Sequence, residues 1–134
     1  MDRRQRRSLV GFVPCMNDTK WREVFLIASS LELQFHLAWV YDSDWPVNSL
    51  HRVPKNLIDH SGIRDPGIGG PCDYREILWV RFPRRIPSGY WGPREQQIEQ
   101  LDIRLDGLGV LPVTSTVDYL EVRGYNRSSS SDQD

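Results

Sequence analysis

The chain has 134 residues and a formal charge of -1, with 39% hydrophobic and 26% charged side chains, which is the profile of one ordinary globular domain able to bury a core. No apolar run approaches the roughly 20 residues that a membrane-spanning helix needs. The charge is split: Arg3, Arg4, Arg6 and Arg7 against Asp2 give residues 1–15 a balance of +3 and leave -4 on residues 16–134, which argues against a phosphate-binding surface as the main business of the body.

Cys15 and Cys72 are too few for a disulfide framework, so a cytoplasmic protein is expected. Residues 3–13 imitate the charged and apolar regions of a signal peptide, but the apolar part is short and Pro14 interrupts it. Met16 is followed by capping residues and a helical pattern, so residues 1–15 are expected to be a disordered or non-native extension. The other reading is a basic arm that touches nucleic acid or membrane. A single domain is expected over residues 16–127, followed by a disordered serine-rich tail at 128–134.

Trp21, Val24, Phe25, Ala28 and Leu31 recur at helical spacing behind Asn17, Asp18 and Thr19, which predicts a helix over 18–31. The period then changes to two, with Leu33, Phe35, Leu37, Trp39 and Tyr41 on one face of a strand. Residues 42–74 are broken by Pro46, Pro54, Pro66 and Pro71 and by four glycines, so only short elements are expected there: a strand near Trp45–Leu50 and helical turns after Pro54. Its large apolar residues predict a packed, functional loop.

Arg75–Pro83 reads as the organising strand. Ile77 and Trp79 alternate with Leu78, Val80 and Phe82, which predicts burial on both faces. A turn-rich stretch carrying Tyr90 and Trp91 follows. Pro93 marks an expected helix start, with Ile98, Leu101, Leu105 and Leu108 as its apolar stripe and Gly107 or Gly109 as its end. Tyr119–Tyr125 closes the fold as a strand whose buried face is Leu120 and Val122. The order of elements predicts an α+β domain with two helices on one face of a small mixed or antiparallel sheet.

The candidate chemistry is thin. His36, His51, His60, Asp59, Asp65, Cys72 and Asp73 show no ligand-pair spacing, so no metal and no cofactor are predicted. Residues 65–71 lack the spacing of a phosphate loop and run into a strand, so a rigid turn is the better reading. Ser49 with His51 and His60 with Ser61 are close in sequence but sit in no nucleophile elbow, so no catalytic residue is named and catalysis stays open. Arg81, Arg84 and Arg85 beside Tyr90 and Trp91 mix cations with flat rings, a combination that suits single-stranded nucleic acid or a protein hot spot.

Met16-Asn17-Asp18-Thr19-Lys20-Trp21-Arg22, the Gly69-Gly70-Pro71 turn before Tyr74-Arg75-Glu76-Ile77-Leu78-Trp79, and Leu108-Gly109-Val110-Leu111-Pro112-Val113 with Val122-Arg123-Gly124-Tyr125 resemble an uncharacterised family of small bacterial proteins of unknown function. The likeness spans residues 16–126 and carries no catalytic residue across. By class, such acidic, Trp-rich α+β proteins also look like the immunity proteins that neutralise polymorphic toxins. That resemblance implies an intracellular protein-binding module, possibly an immunity-type inhibitor; the 42–74 loop and the Arg84–Trp91 segment are its expected contact surface, with Trp45, Asp65, Arg84, Arg85, Tyr90 and Trp91 as the expected partner-binding residues. An acidic body would suit a basic toxin. The alternatives are a small enzyme or small-molecule binder with a site under the 42–74 loop, and a nucleic-acid binder acting through residues 3–7 and 81–85.

Overall fold

The computed structural model describes residues 12–40, 50–65, 71–87 and 93–127. Helix α1 runs over Asp18–Ser30. Its first turn is capped by Asn17, whose Oδ1 accepts the Lys20 amide at 2.8 Å. The helical stripe does what its spacing demands: Trp21, Val24, Phe25 and Ala28 are buried. Glu32 then takes a left-handed φ of 54°, and the Leu33 N–H reaches back to the Ala28 carbonyl at 2.9 Å. This reversal lets the chain pass from helix to strand without a longer connection.

Among the described residues ten short strands follow in chain order: β1 (Phe12–Pro14), β2 (His36–Trp39), β3 (Gly62–Ile63), β4 (Cys72–Asp73), β5 (Ile77–Pro83), β6 (Arg85–Ile86), β7 (Arg94–Glu95), β8 (Val113–Ser115), β9 (Tyr119–Arg123) and β10 (Tyr125–Arg127). The main sheet has the order β2-β5-β9-β8, with every pair antiparallel. Strand β5 is therefore interior to the sheet, in agreement with its organising role. Helix α2 is Ile98–Asp106.

Both helices pack on one face of this sheet. Trp21, Val24, Phe25 and Ala28 of α1 and Ile98, Leu101 and Leu105 of α2 share one core with Leu37, Val80, Phe82, Leu120 and Val122 of the sheet. Rings bridge the two layers, Phe25 lying 5.4 Å from Phe35 and Phe35 5.7 Å from Phe82. The molecule is thus a small α+β fold with two helices on one face of an antiparallel sheet.

Three local differences from the expected elements have physical causes. Strand β5 is not buried evenly on both faces. A register shift between Ala38 and Trp39 sets Leu37 against Val80 but Trp39 against Ile77, so two β5 residues span one step of β2. The slip turns Ile77 to the core with Val80 and Phe82, while Leu78 and Trp79 are only half-buried. The second helix begins at Ile98 instead of Pro93, because Arg94 and Glu95 are taken up by β7 in pairing with β6. The domain also extends past its expected limit at Met16, since Phe12–Pro14 pairs with Tyr125–Arg127 as β1 and β10. Residues 1–11 and the serine-rich 128–134 segment lie outside the described residues.

The described parts of the 42–74 connection are packed. Val53, Ile58, Ile63, Cys72 and Tyr74 are all buried, and the Tyr74 hydroxyl donates to the Asp59 carbonyl at 2.7 Å. Pro54 leads into a single 3₁₀ turn over Lys55–Leu57, and the His51 N–H and C=O pair with Phe35 beyond the start of β2. The strand expected near Trp45–Leu50 falls outside the described residues except for Leu50.

Candidate functional site

Strand alternation places a polar and aromatic set on the sheet face opposite the helices. From β2 it takes His36, from β5 Trp79 and Arg81, and from β9 Tyr119, Glu121 and Arg123. Register brings His36, Arg81, Glu121 and Thr114 into one row across the four strands. Among the described residues, no helix packs on this face.

Arg81 is fixed by contacts on several of its atoms. Its Nε donates to Glu121 Oε1 at 2.7 Å. Its guanidinium carbon sits 3.9 Å from the centre of the Trp79 ring and 4.8 Å from that of Tyr119, so the cation lies over two π-faces. Glu121 is only 5% exposed and would be costly to bury alone. Its second oxygen accepts from Arg123 Nε at 3.1 Å, so two arginines compensate one buried carboxylate.

Around this centre lies an open cleft of about 590 Å³, lined by His36, Trp79, Arg81, Arg84, Arg85 and Tyr119, with Glu95 and Asp118 as acidic members of the lining. Arg84 is anchored, its Nε donating to the Thr116 carbonyl at 2.8 Å and its Nη2 to Ser115 Oγ at 2.5 Å. Arg85 is exposed and stands opposite Glu95 in the β6–β7 pair. The base of the cleft is rigid sheet and its rim carries exposed charge, an arrangement that presents preformed donors without requiring the backbone to move.

Of the residues expected to contact a partner, Arg84 and Arg85 line this cleft. Asp65 is not among its lining residues; it lies near enough to His51 to act on that imidazole's pKa. Trp45, Tyr90 and Trp91 lie outside the described residues. Among the described residues, none of the cleft's lining belongs to the 42–74 connection. Trp79, Tyr119 and Glu121 were not singled out by sequence as a site. Their signal was the period-two alternation of β5 and β9, which becomes informative only once the two strands are paired.

The remaining titratable groups are separate from the cleft's centre. His51 is lowered from its usual value by burial and by His36, against the opposing pull of Asp65, and its Nε2 is buried with no hydrogen-bond partner among the described residues. Burial pushes the Cys72 thiol up to about 12, which makes it inert at neutral pH. Among the described residues no three His, Cys, Asp or Glu side chains converge as a metal site, and no helix is long and apolar enough to cross a membrane.

Comparison of the chain with protein-family models, with curated proteins and with solved structures finds no match in any of the three.

Proposed function

We propose that this protein is a protein-binding module whose contact surface is the helix-free face of the main sheet. The observation that carries the reading is Arg81, fixed by the buried Glu121 carboxylate and lying over the rings of Trp79 and Tyr119 in an open cleft. Aromatic rings and arginine in a partly desolvated hollow are the side chains that dominate protein interfaces. The alternation of acidic and basic groups supports a protein over a nucleic acid. Glu95 and Asp118 interrupt the cationic surface that a phosphate backbone requires. The two free thiols favour a cytoplasmic setting, and the resemblance to immunity proteins makes a bacterial toxin the first partner class to test.

The test is capture by the immobilised full chain from a bacterial lysate, with mass spectrometry of the retained proteins, repeated with Trp79→Ala and with Arg85→Ala. A stoichiometric partner is expected on the parent chain, held at least about tenfold more weakly by Trp79→Ala, while the melting temperature shows that the variant is folded. Equal retention by both folded variants would remove this face from the interface.

A further inference from the structure

We infer that the cleft contains a carboxylate-binding subsite in which Arg81 grips an aspartate or glutamate side chain of the partner polypeptide. The inference rests on the binding-face reading above and names the chemistry that the face selects.

Three observations converge on it. First, Arg81 is preorganised: Nε is occupied by Glu121, the guanidinium carbon lies over the rings of both Trp79 and Tyr119, and among the described residues neither terminal nitrogen makes a hydrogen bond. The side chain is still about one-third exposed, at 34%. A fork of free, oriented N–H donors is matched in shape by a planar carboxylate. Second, the neighbouring arginine does not compete for the same role, because Arg84 already spends its Nε and Nη2 on Thr116 and Ser115. Third, the local charge selects the anion. The lining sets Arg81, Arg84 and Arg85 against Glu95 and Asp118, and beneath it Arg123 offsets Glu121. Among the described residues this leaves one net positive charge, which balances a monoanion but only half of a doubly charged phosphate.

An acidic side chain fits better than a chain terminus. Terminal carboxylates are commonly held in nests of free backbone amides. Here Trp79, Val80 and Arg81 of β5 are paired with β2 on one side and β9 on the other, so the cleft floor is interior sheet and offers no such nest. Trp79 and Tyr119 form the walls on which the methylene groups of a glutamate can pack.

The test uses the full chain labelled with nitrogen-15 and follows the Arg81 Nε–H and Trp79 indole N–H signals. The probes are a capped tripeptide with a central glutamate, the same peptide with glutamine, a glutamine peptide with a free C-terminal carboxylate, and inorganic phosphate. Saturable shifts of both signals are expected with the capped glutamate peptide and not with the capped glutamine peptide. Binding should weaken by about tenfold in Arg81→Lys, which keeps the charge and removes the fork. If Arg81→Lys does not fold, Tyr119→Leu leaves the Arg81–Glu121 pair in place, removes one wall and should weaken binding in the same direction. Absence of saturable shifts, equal response to the glutamine peptide, or undiminished binding by the folded variant would overturn the subsite. Tighter binding of phosphate or of the free C-terminus would overturn the proposed side-chain carboxylate. If the Trp79→Ala chain loses its partner while glutamate leaves Arg81 unmoved, the binding face stands and the subsite fails. If glutamate binds at Arg81 and no partner depends on Trp79, the subsite stands and the binding-face reading fails.

Discussion

Gly124 carries no side chain because there is no room for one. Its amide donates to the Leu78 carbonyl at 2.8 Å, and a Cβ built there would stand 2.2 Å from the Ile77 carbonyl oxygen and 3.3 Å from the Trp21 ring. The backbone at the β9–β10 junction is thus pressed directly against the irregular start of β5. Gly124→Ala is expected to destabilise the fold by about 2 kcal/mol, because neither a backbone oxygen nor a buried indole can yield cheaply. Urea unfolding checks this, and an unchanged midpoint would mean that the two strands can separate without cost. The sequence shows a glycine at 124 but not its reason, since the atoms that exclude a Cβ come from Ile77 and Trp21, far away along the chain. Trp79 is similar. Its facing away from Val80 and Phe82 was visible in the alternation, but its place beside Arg81 and across from Arg123 depends on the pairing of β5 with β9.

At the scale of elements, the connection between β7 and α2 shows how a single side chain replaces missing backbone pairing. Gln96 Oε1 accepts the Gln34 amide at 2.8 Å, and its Nε2 donates to the Gln34 carbonyl at 2.9 Å and to the Pro83 carbonyl at 2.8 Å. One amide therefore ties the approach to β2 to the end of β5. Gln96→Ala is expected to lower stability by about 1–3 kcal/mol, since it strands half-buried backbone donors and acceptors. Faster hydrogen exchange at the Gln34 amide would accompany that loss, and unchanged exchange would count against the tie. The helix stripe of α1 and the alternation of buried Leu33, Phe35 and Leu37 with half-buried Gln34 and His36 were legible in advance, because burial follows a local period once one face meets a core; the period ends there, since Ala38, Trp39 and Val40 are all buried. The start of α2 was not. Pro93 is a good helix opener in isolation, and only the partner strand β6 explains why residues 94 and 95 stay extended.

For the whole molecule, the buried acids Cys72 and Tyr74 are expected to lower stability at alkaline pH. Burial raises Cys72 from 9.0 to about 12, and Tyr74 is also raised by burial. Below the unfolded thiol's pKa both groups are protonated in both states and cost nothing. As pH rises above it, the unfolded chain releases a proton that the folded chain retains, so stability falls progressively until the folded thiol itself ionises. Each such group contributes a slope of at most about 1.4 kcal/mol per pH unit. Unfolding midpoints measured from neutral pH to about pH 10 should therefore decline, and Cys72→Ala should flatten the first part of the decline even though it lowers stability at neutral pH. A parallel decline in both proteins would assign the effect to other groups.

The sequence by itself determined the fold class, the identity of most core residues and the central place of residues 75–83. All three follow from local periodicity and composition, which act on neighbouring residues whatever their tertiary partners. Tertiary structure decided how the site is assembled. Trp79 and Arg81 share a face by strand alternation alone, but they meet Glu121 and Tyr119 only through the antiparallel register of β5 with β9. Backbone hydrogen bonds between distant segments set that register, and a slip of one residue exchanges the two faces of a strand.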